Sequence, residues 1–206
     1  LISGRGSNLA ALLAAARAPG YPAEIALVVS NRPAAAGLSL AAAAGVAVRA
    51  IYHRGFGADR AAHEAAIDAA LREAGIEFVC LAGYLRRLTP FLVHALAGRM
   101  LNIHPSLLPA FPGLDTHARA LAAGVKLHGC TVHLVTEGVD EGPILAQAAV
   151  PVLAGDTEAS LAARVLAEEH RLYPAALRHL AAGTAGCAPP EGAALRNPLP
   201  EADPLP

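Results

Sequence analysis

"EIALVVSNRPAAAGLSLAAAAGVAVRAIY", residues 24–52, decides the fold. Two apolar β-branched segments, 24–30 and 46–52, flank an Ala-rich stretch, about 35–44, of helical composition. Strand, helix, strand with continuously apolar strands implies parallel pairing, with helices covering both faces of a sheet. The alternation continues outward, with strands expected at 78–84 and 99–103 and helices at about 9–17, 59–74 and 90–97. From Lys126 the pattern changes. "KLHGCTVHLVT" and "GPILAQAAVPVL" are joined only by "EGVDE", too short for a helical crossover, so these two strands pair antiparallel. A helix over about 157–180 follows, with Asp156 or Thr157 as its N-cap. The expectation is a single α/β domain over 1–182, a mostly parallel sheet with an antiparallel pair in its C-terminal half. A Pro/Gly/Ala-rich tail, 183–206, closes the chain.

At 206 residues the chain can bury a sizeable core, and with 54% apolar residues, no Trp and few aromatics that core is Ala, Leu and Val. The net charge of −1, a single lysine (Lys126) and scattered arginines give no surface for nucleic acid. No apolar run reaches the roughly 18–20 residues of a membrane span. Cys80, Cys130 and Cys187 are widely spaced and odd in number, which suits a reducing cytoplasm rather than a disulfide framework. "LISGRGSN" opens on Leu1 at what reads as the end of a strand, so a few residues are expected to precede it, and a targeting segment there stays open.

Four features carry chemistry. Gly4-Arg5-Gly6-Ser7-Asn8 lies between a strand and a helix, where backbone N–H groups and the helix N-terminus suit a phosphate. It lacks the full dinucleotide fingerprint and a Walker lysine, and a plain capped turn is the alternative reading. Asn102 and His104 stand two apart at the carboxyl end of a strand, on one face, with Pro105 and Pro109 ending the strand behind them. An amide and an imidazole placed so can cradle an oxyanion, although a lone strand-end histidine is as often structural. Asp140 sits in the Gly-flanked turn "EGVDEGP", where it is either a turn residue or a partner folded onto His104. Arg86 and Arg87 follow the strand at 78–84 and Arg60 opens a helix; near a ligand crevice a guanidinium can hold a carboxylate. Glu168 and Glu169 read by default as a solvated helix face. His104, His117, His128 and His133 show no chelating spacing, and no metal is expected.

"LISGRGSNL", "AGYLRRL", "LNIHPSLLPAFPG", "THARAL", "HGCTVHLVTEGVDEGPILAQ" and "EHRLYP" together resemble the glycinamide ribonucleotide formyltransferase family, in order, from Leu1 to about residue 180. The "NIHPSLLP" core is shared by several enzymes that use formyltetrahydrofolate; its combination with "GSN", "PG…TH" and "HG…VH" is more specific. The resemblance implies a Rossmann-like fold and a cytoplasmic enzyme of purine biosynthesis, monomer or homodimer, acting without metal. Its reaction passes the formyl group of 10-formyltetrahydrofolate to the amine of phosphoribosylglycinamide. Residue by residue it implies Asn102, His104 and Asp140 as the catalytic trio, with His133 in support. It implies Gly6, Ser7, Asn8 and Glu169 at the ribonucleotide, and Arg60, Leu85, Arg86, Leu88, Val135, Thr136 and Asp140 at the folate. Asp115 stands where the family often has His, Arg87 where an apolar residue is common, and Leu166 where a polar one is. The alternatives are a 10-formyltetrahydrofolate hydrolase, which usually carries an extra N-terminal domain, and a non-catalytic phosphosugar-binding module. A methionyl-tRNA formyltransferase is expected to carry a further basic C-terminal domain.

Overall fold

A computed structural model provides the fold, and residues 1–183 are described; the expected tail beyond them, with Cys187, lies outside the described residues. Thirteen elements alternate much as the sequence dictates. The strands are β1 (Leu27–Ser30), β2 (Ala47–Ala50), β3 (Val79–Leu81), β4 (Met100–His104), β5 (Leu127–Leu134) and β6 (Ile144–Pro151). The helices are α1 (Ser7–Ala16), α2 (Ala36–Ala43), α3 (Arg60–Glu73), α4 (Pro90–Ala95), α5 (Thr116–Ala122) and α6 (Glu158–Ala181), with one 3₁₀ turn at His53–Phe56.

β1 pairs parallel with β2, and β3 parallel with β4. Residues 1–3 lie between these pairs: Ile2 N donates to the Val29 carbonyl on one side, and Ser3 N to the Gly83 carbonyl on the other. β5 then runs antiparallel to β4, and β6 antiparallel to β5. Two expectations are corrected. The antiparallel part of the sheet includes the β4–β5 pairing as well as the β5–β6 hairpin. The first three strands are also shorter than their apolar runs, spanning 27–30, 47–50 and 79–81. β4 instead reaches one residue further than expected, so His104 is its last member.

α6 covers one face of β4–β6. Its N-terminus is a capping box in which Thr157 and Ser160 satisfy each other's backbone N–H, fixing Thr157 as the N-cap. Leu161, Val165, Tyr173 and Leu177 recur at helical spacing on its buried face. The Tyr173 hydroxyl is wholly buried and lies 3.2 and 3.0 Å from the carbonyl oxygens of Leu81 and Leu101, tying the helix to β3 and β4. Across the sheet, Ile67, Leu71, Leu92 and Met100 form a second apolar cluster beneath α3 and α4. Parallel strands 1–3, β1, β3 and β4 therefore present their carboxyl ends along one edge, and the loops of that edge carry the polar motifs. No helix of the described residues is long and apolar enough to cross a membrane.

Candidate active site

β4 places Asn102 and His104 on one face because strand side chains alternate. Across the ladder Asn102 faces His133 and His104 faces Thr131. Thr131 Oγ1 accepts from Leu108 N and donates to the Ser106 carbonyl, while Gln147 bonds both Thr131 Oγ1 and the Leu108 carbonyl. These bonds fix the proline loop that leaves β4, so the backbone after His104 is held on all sides.

The hairpin loop between β5 and β6 folds back over the sheet and delivers Asp140 to this face. Its Oδ2 lies 3.3 Å from His104 Nδ1, and its Oδ1 lies 3.7 Å from His133 Nε2. Asp140 adopts φ 57°, a left-handed conformation uncommon outside glycine. Gly142, two residues on, has no positive φ; an added Cβ there would overlap the Leu134 carbonyl oxygen, so the two strands of the hairpin close together only over a bare backbone. Sequence spacing brought Asn102 and His104 together, and the fold adds Asp140 and His133.

Each ring nitrogen of the two histidines has a partner. His133 Nδ1 is 2.9 Å from the Leu134 carbonyl, and its Nε2 lies 3.2 Å from the Asn102 amide nitrogen and 3.7 Å from Asp140 Oδ1. His133 thereby orients Asn102 with its amide nitrogen inward. His104 differs, because both of its nitrogens face acceptors: Nε2 is 3.0 Å from the Phe111 carbonyl and Nδ1 faces Asp140. Burial pushes the Asp140 carboxyl up, but the His133 ring, the Gly113 N–H at 2.9 Å and the charge of His104 together hold it below its ordinary value. The result is an ionised aspartate against a histidine that is 6% exposed.

Two histidines nearby are not part of this cluster. His117 and His128 pack ring to ring, their centroids 5.2 Å apart, and burial lowers both, His128 to about 4. Among the described residues, no group of three His, Cys, Asp or Glu is arranged to hold a metal ion.

The Gly4–Asn8 loop enters α1 through Gly6, whose φ of 84° favours glycine and where an added Cβ would come within 3.0 Å of Gly37 Cα. Ser7 and Asn8 occupy the first turn of α1, whose backbone N–H groups have no intrahelical acceptor. Asn8 Nδ2 donates to Glu169 Oε2 at 2.7 Å, joining α1 to α6, and Asn8 Oδ1 is buried without a partner. Glu169 is 7% exposed, which corrects its reading as part of a solvated face; its neighbour Glu168 is half-buried and pairs with the exposed Arg171. Burial raises the Glu169 carboxyl despite the Asn8 bond.

Around the β3 loop, Glu64 accepts from both the backbone N–H and the hydroxyl of Thr89, pinning the start of α4. Burial pushes the Tyr84 phenol up to about 12, against the positive charges of Arg86 and Arg60. Leu85 is 65% exposed, whereas Leu88 and Val135 pack partly on the second apolar cluster. A concavity of about 340 Å³ beside Asp140 is lined by Leu108, Pro109, Pro112, Val139 and Ile144. A larger one, about 430 Å³, lies at the opposite, amino-terminal edge of the sheet among Leu12, Leu27, Phe78 and Leu177, away from every polar cluster. Sequence reasoning missed the Phe111 carbonyl and the Gly113 N–H as members of the site; the left-handed turn "FPGLD" is the signal that could have found them.

Residues 1–177 match the formyl transferase family model. The chain is 50% identical over 184 residues to the human trifunctional purine biosynthetic protein adenosine-3; that stretch is 89% of this chain and 18% of the relative. The chain thus spans 13–18% of the length of the trifunctional proteins it matches. It is 43% identical to the phosphoribosylglycinamide formyltransferase of Escherichia coli K12, covering 89% of this chain and 86% of that one. A solved structure of phosphoribosylglycinamide formyltransferase from Brucella melitensis superposes with a TM-score of 0.84 at 61% identity, over 88% of this chain and 93% of that one.

Proposed function

The chain belongs to the formyl transferase family, and from that membership we propose that it transfers the formyl group of 10-formyltetrahydrofolate to the amine of phosphoribosylglycinamide. The observation that carries the mechanism is the convergence of Asn102, His104 and Asp140, with His133 behind them, on one face at the end of β4. The amine nitrogen attacks the formyl carbon, forming a new C–N bond and a tetrahedral centre with an anionic oxygen. The bond from that carbon to N10 of the folate then breaks. One proton leaves the amine nitrogen and one reaches N10, so the products are the formylated amine and tetrahydrofolate.

No enzyme nucleophile is needed. Burial raises the thiols of Cys80 and Cys130, Cys80 to about 11, which removes them as thiolates near neutral pH. The second amide hydrogen of Asn102 and the positive ring of His104 stabilise the developing oxyanion. Because both His104 nitrogens already have acceptors, direct donation to that oxygen requires the ring to exchange one of them. Asp140 keeps the ring cationic and relays the proton through water. The α1 N-terminus with Ser7 binds the phosphate, Asn8 and Glu169 meet the ribose or glycinamide end, and Arg60 and Arg86 hold the folate carboxylates.

The test is the absorbance change of a 10-formyl folate analogue with purified protein. Turnover that requires the ribonucleotide is the expected result. Turnover in its absence identifies a hydrolase, and no turnover under either condition identifies a binding module.

A further inference from the structure

The turn at 111–114 touches both charged members of the site with main-chain atoms. The Phe111 carbonyl meets His104 Nε2 at 3.0 Å, and the Gly113 N–H meets Asp140 Oδ2 at 2.9 Å. Local preference does not hold the turn in this shape. Phe111 stands at φ 53° and Asp115 at 54°, in the left-handed region that bulky residues avoid, with Gly113 at 79° between them. Something outside the turn must hold it.

Arg119, exposed on α5, reaches back over it. Its Nη1 donates to the Pro112 carbonyl at 2.5 Å and lies 3.3 Å from the Leu114 carbonyl. Its guanidinium carbon sits 5.6 Å from the centroid of the Phe111 ring. One side chain therefore binds the residues on either side of Gly113 and covers the ring of Phe111. A planar, multi-donor cation is suited to do both; an ammonium is a point donor without a face to stack.

The geometry points to Arg119 as a positioning residue that pins the 111–114 turn, keeping the Phe111 carbonyl on His104 and the Gly113 N–H on Asp140. This rests on the reading of His104 and Asp140 as the catalytic pair for formyl transfer. Releasing the turn takes from Asp140 one of its donors. The groups that still face it are His104 from β4 and His133 from β5, with burial acting against ionisation. Its carboxyl then rises, and the acid limb of kcat/KM moves to higher pH.

In Arg119→Ala, kcat is expected to fall by about 10- to 100-fold, the scale of a small misplacement of catalytic groups. Both KM values should stay within about twofold, as for a group that touches neither substrate. Arg119→Lys should recover little of the loss, and millimolar guanidinium added to Arg119→Ala should recover part of it. Carbon NMR titration of the Asp140 carboxyl in the ligand-free protein should show its midpoint moved upward in the variant. That measurement is independent of turnover, so it supports or overturns the positioning role even if the wild type proves inactive on the ribonucleotide. Wild-type kcat with an unmoved Asp140 titration overturns the proposal and leaves the transferase reading intact. A loss of activity matched by a lowered melting temperature, both KM values raised and no Asp140 shift also overturns it, as a general packing effect.

Discussion

At the scale of single residues, the site turns on which partner each ring nitrogen meets. His133 lies between the Leu134 carbonyl and the Asn102 amide, whereas His104 is bracketed by the Phe111 carbonyl and the Asp140 carboxylate. Two histidines close to one another in space thus hold different partners. Asp140→Asn preserves shape and removes the charge that faces His104. Turnover should fall by roughly 10²–10⁴, as for the loss of a general acid–base group, with the fold retained. Steady-state kinetics beside a thermal melt check this, and near-normal kcat would remove Asp140 from the mechanism. Asn102 and His104 were legible in the sequence because a strand fixes their common face and two prolines fix where it ends. Asp140 was legible on its own residues only as either a turn residue or a partner of His104, since nothing in "EGVDEGP" says which way a hairpin loop folds over its sheet.

At the scale of elements, α6 is anchored at its first turn. Arg164 reaches the Asp156 carboxylate through two nitrogens, at 2.8 and 2.9 Å, and Leu153 N and the Ser160 hydroxyl complete its shell. The Arg164 guanidinium, with those donors, holds the Asp156 carboxyl well below the usual carboxylate range. A carboxyl depressed by folding contributes stability that is complete above its unfolded value, near 3.8, and is lost as pH falls through the lower folded value. Arg164→Ala should therefore lower the melting temperature at pH 7 by roughly 2–4 °C, the scale of about 1 kcal/mol in a domain of this size. The gap to wild type should persist at pH 5 and narrow at pH 3; a gap constant across that range would mean the pair does not act through ionisation. The existence of α6 could be read from "DTEAS" and the apolar spacing behind it, with its N-cap narrowed to Asp156 or Thr157. The direction of β5 against β4 could not, because an apolar run buried on both faces carries no arrow, and direction depends on the irregular path through 105–115 and α5. The Phe111 and Gly113 backbone groups escaped for a related reason: every residue owns a carbonyl, so only the turn's geometry distinguishes these.

At the scale of the whole molecule, the binding edge is assembled from distant parts of the chain. Asn8 and Glu169 are 161 positions apart yet share a buried hydrogen bond, so α1 and α6 form one unit at the proposed ribonucleotide end. Asn8→Ala and Glu169→Ala should each raise the KM for the ribonucleotide more than that for the folate. The double variant should fall short of the sum of the two by about 0.5–3 kcal/mol, the range of coupling between residues in contact. A double-mutant cycle in KM and kcat/KM measures this, and strict additivity would show that the two act separately. Gly142 shows how such an assembly limits what the sequence may become. It touches no substrate in the proposed mechanism, yet any side chain there meets the Leu134 carbonyl and parts the hairpin that carries Asp140. In a lineage drifting under selection for activity alone, position 142 would stay as invariant as the catalytic residues. An observer reading its constancy as a sign of chemistry would be misled by a matter of clearance.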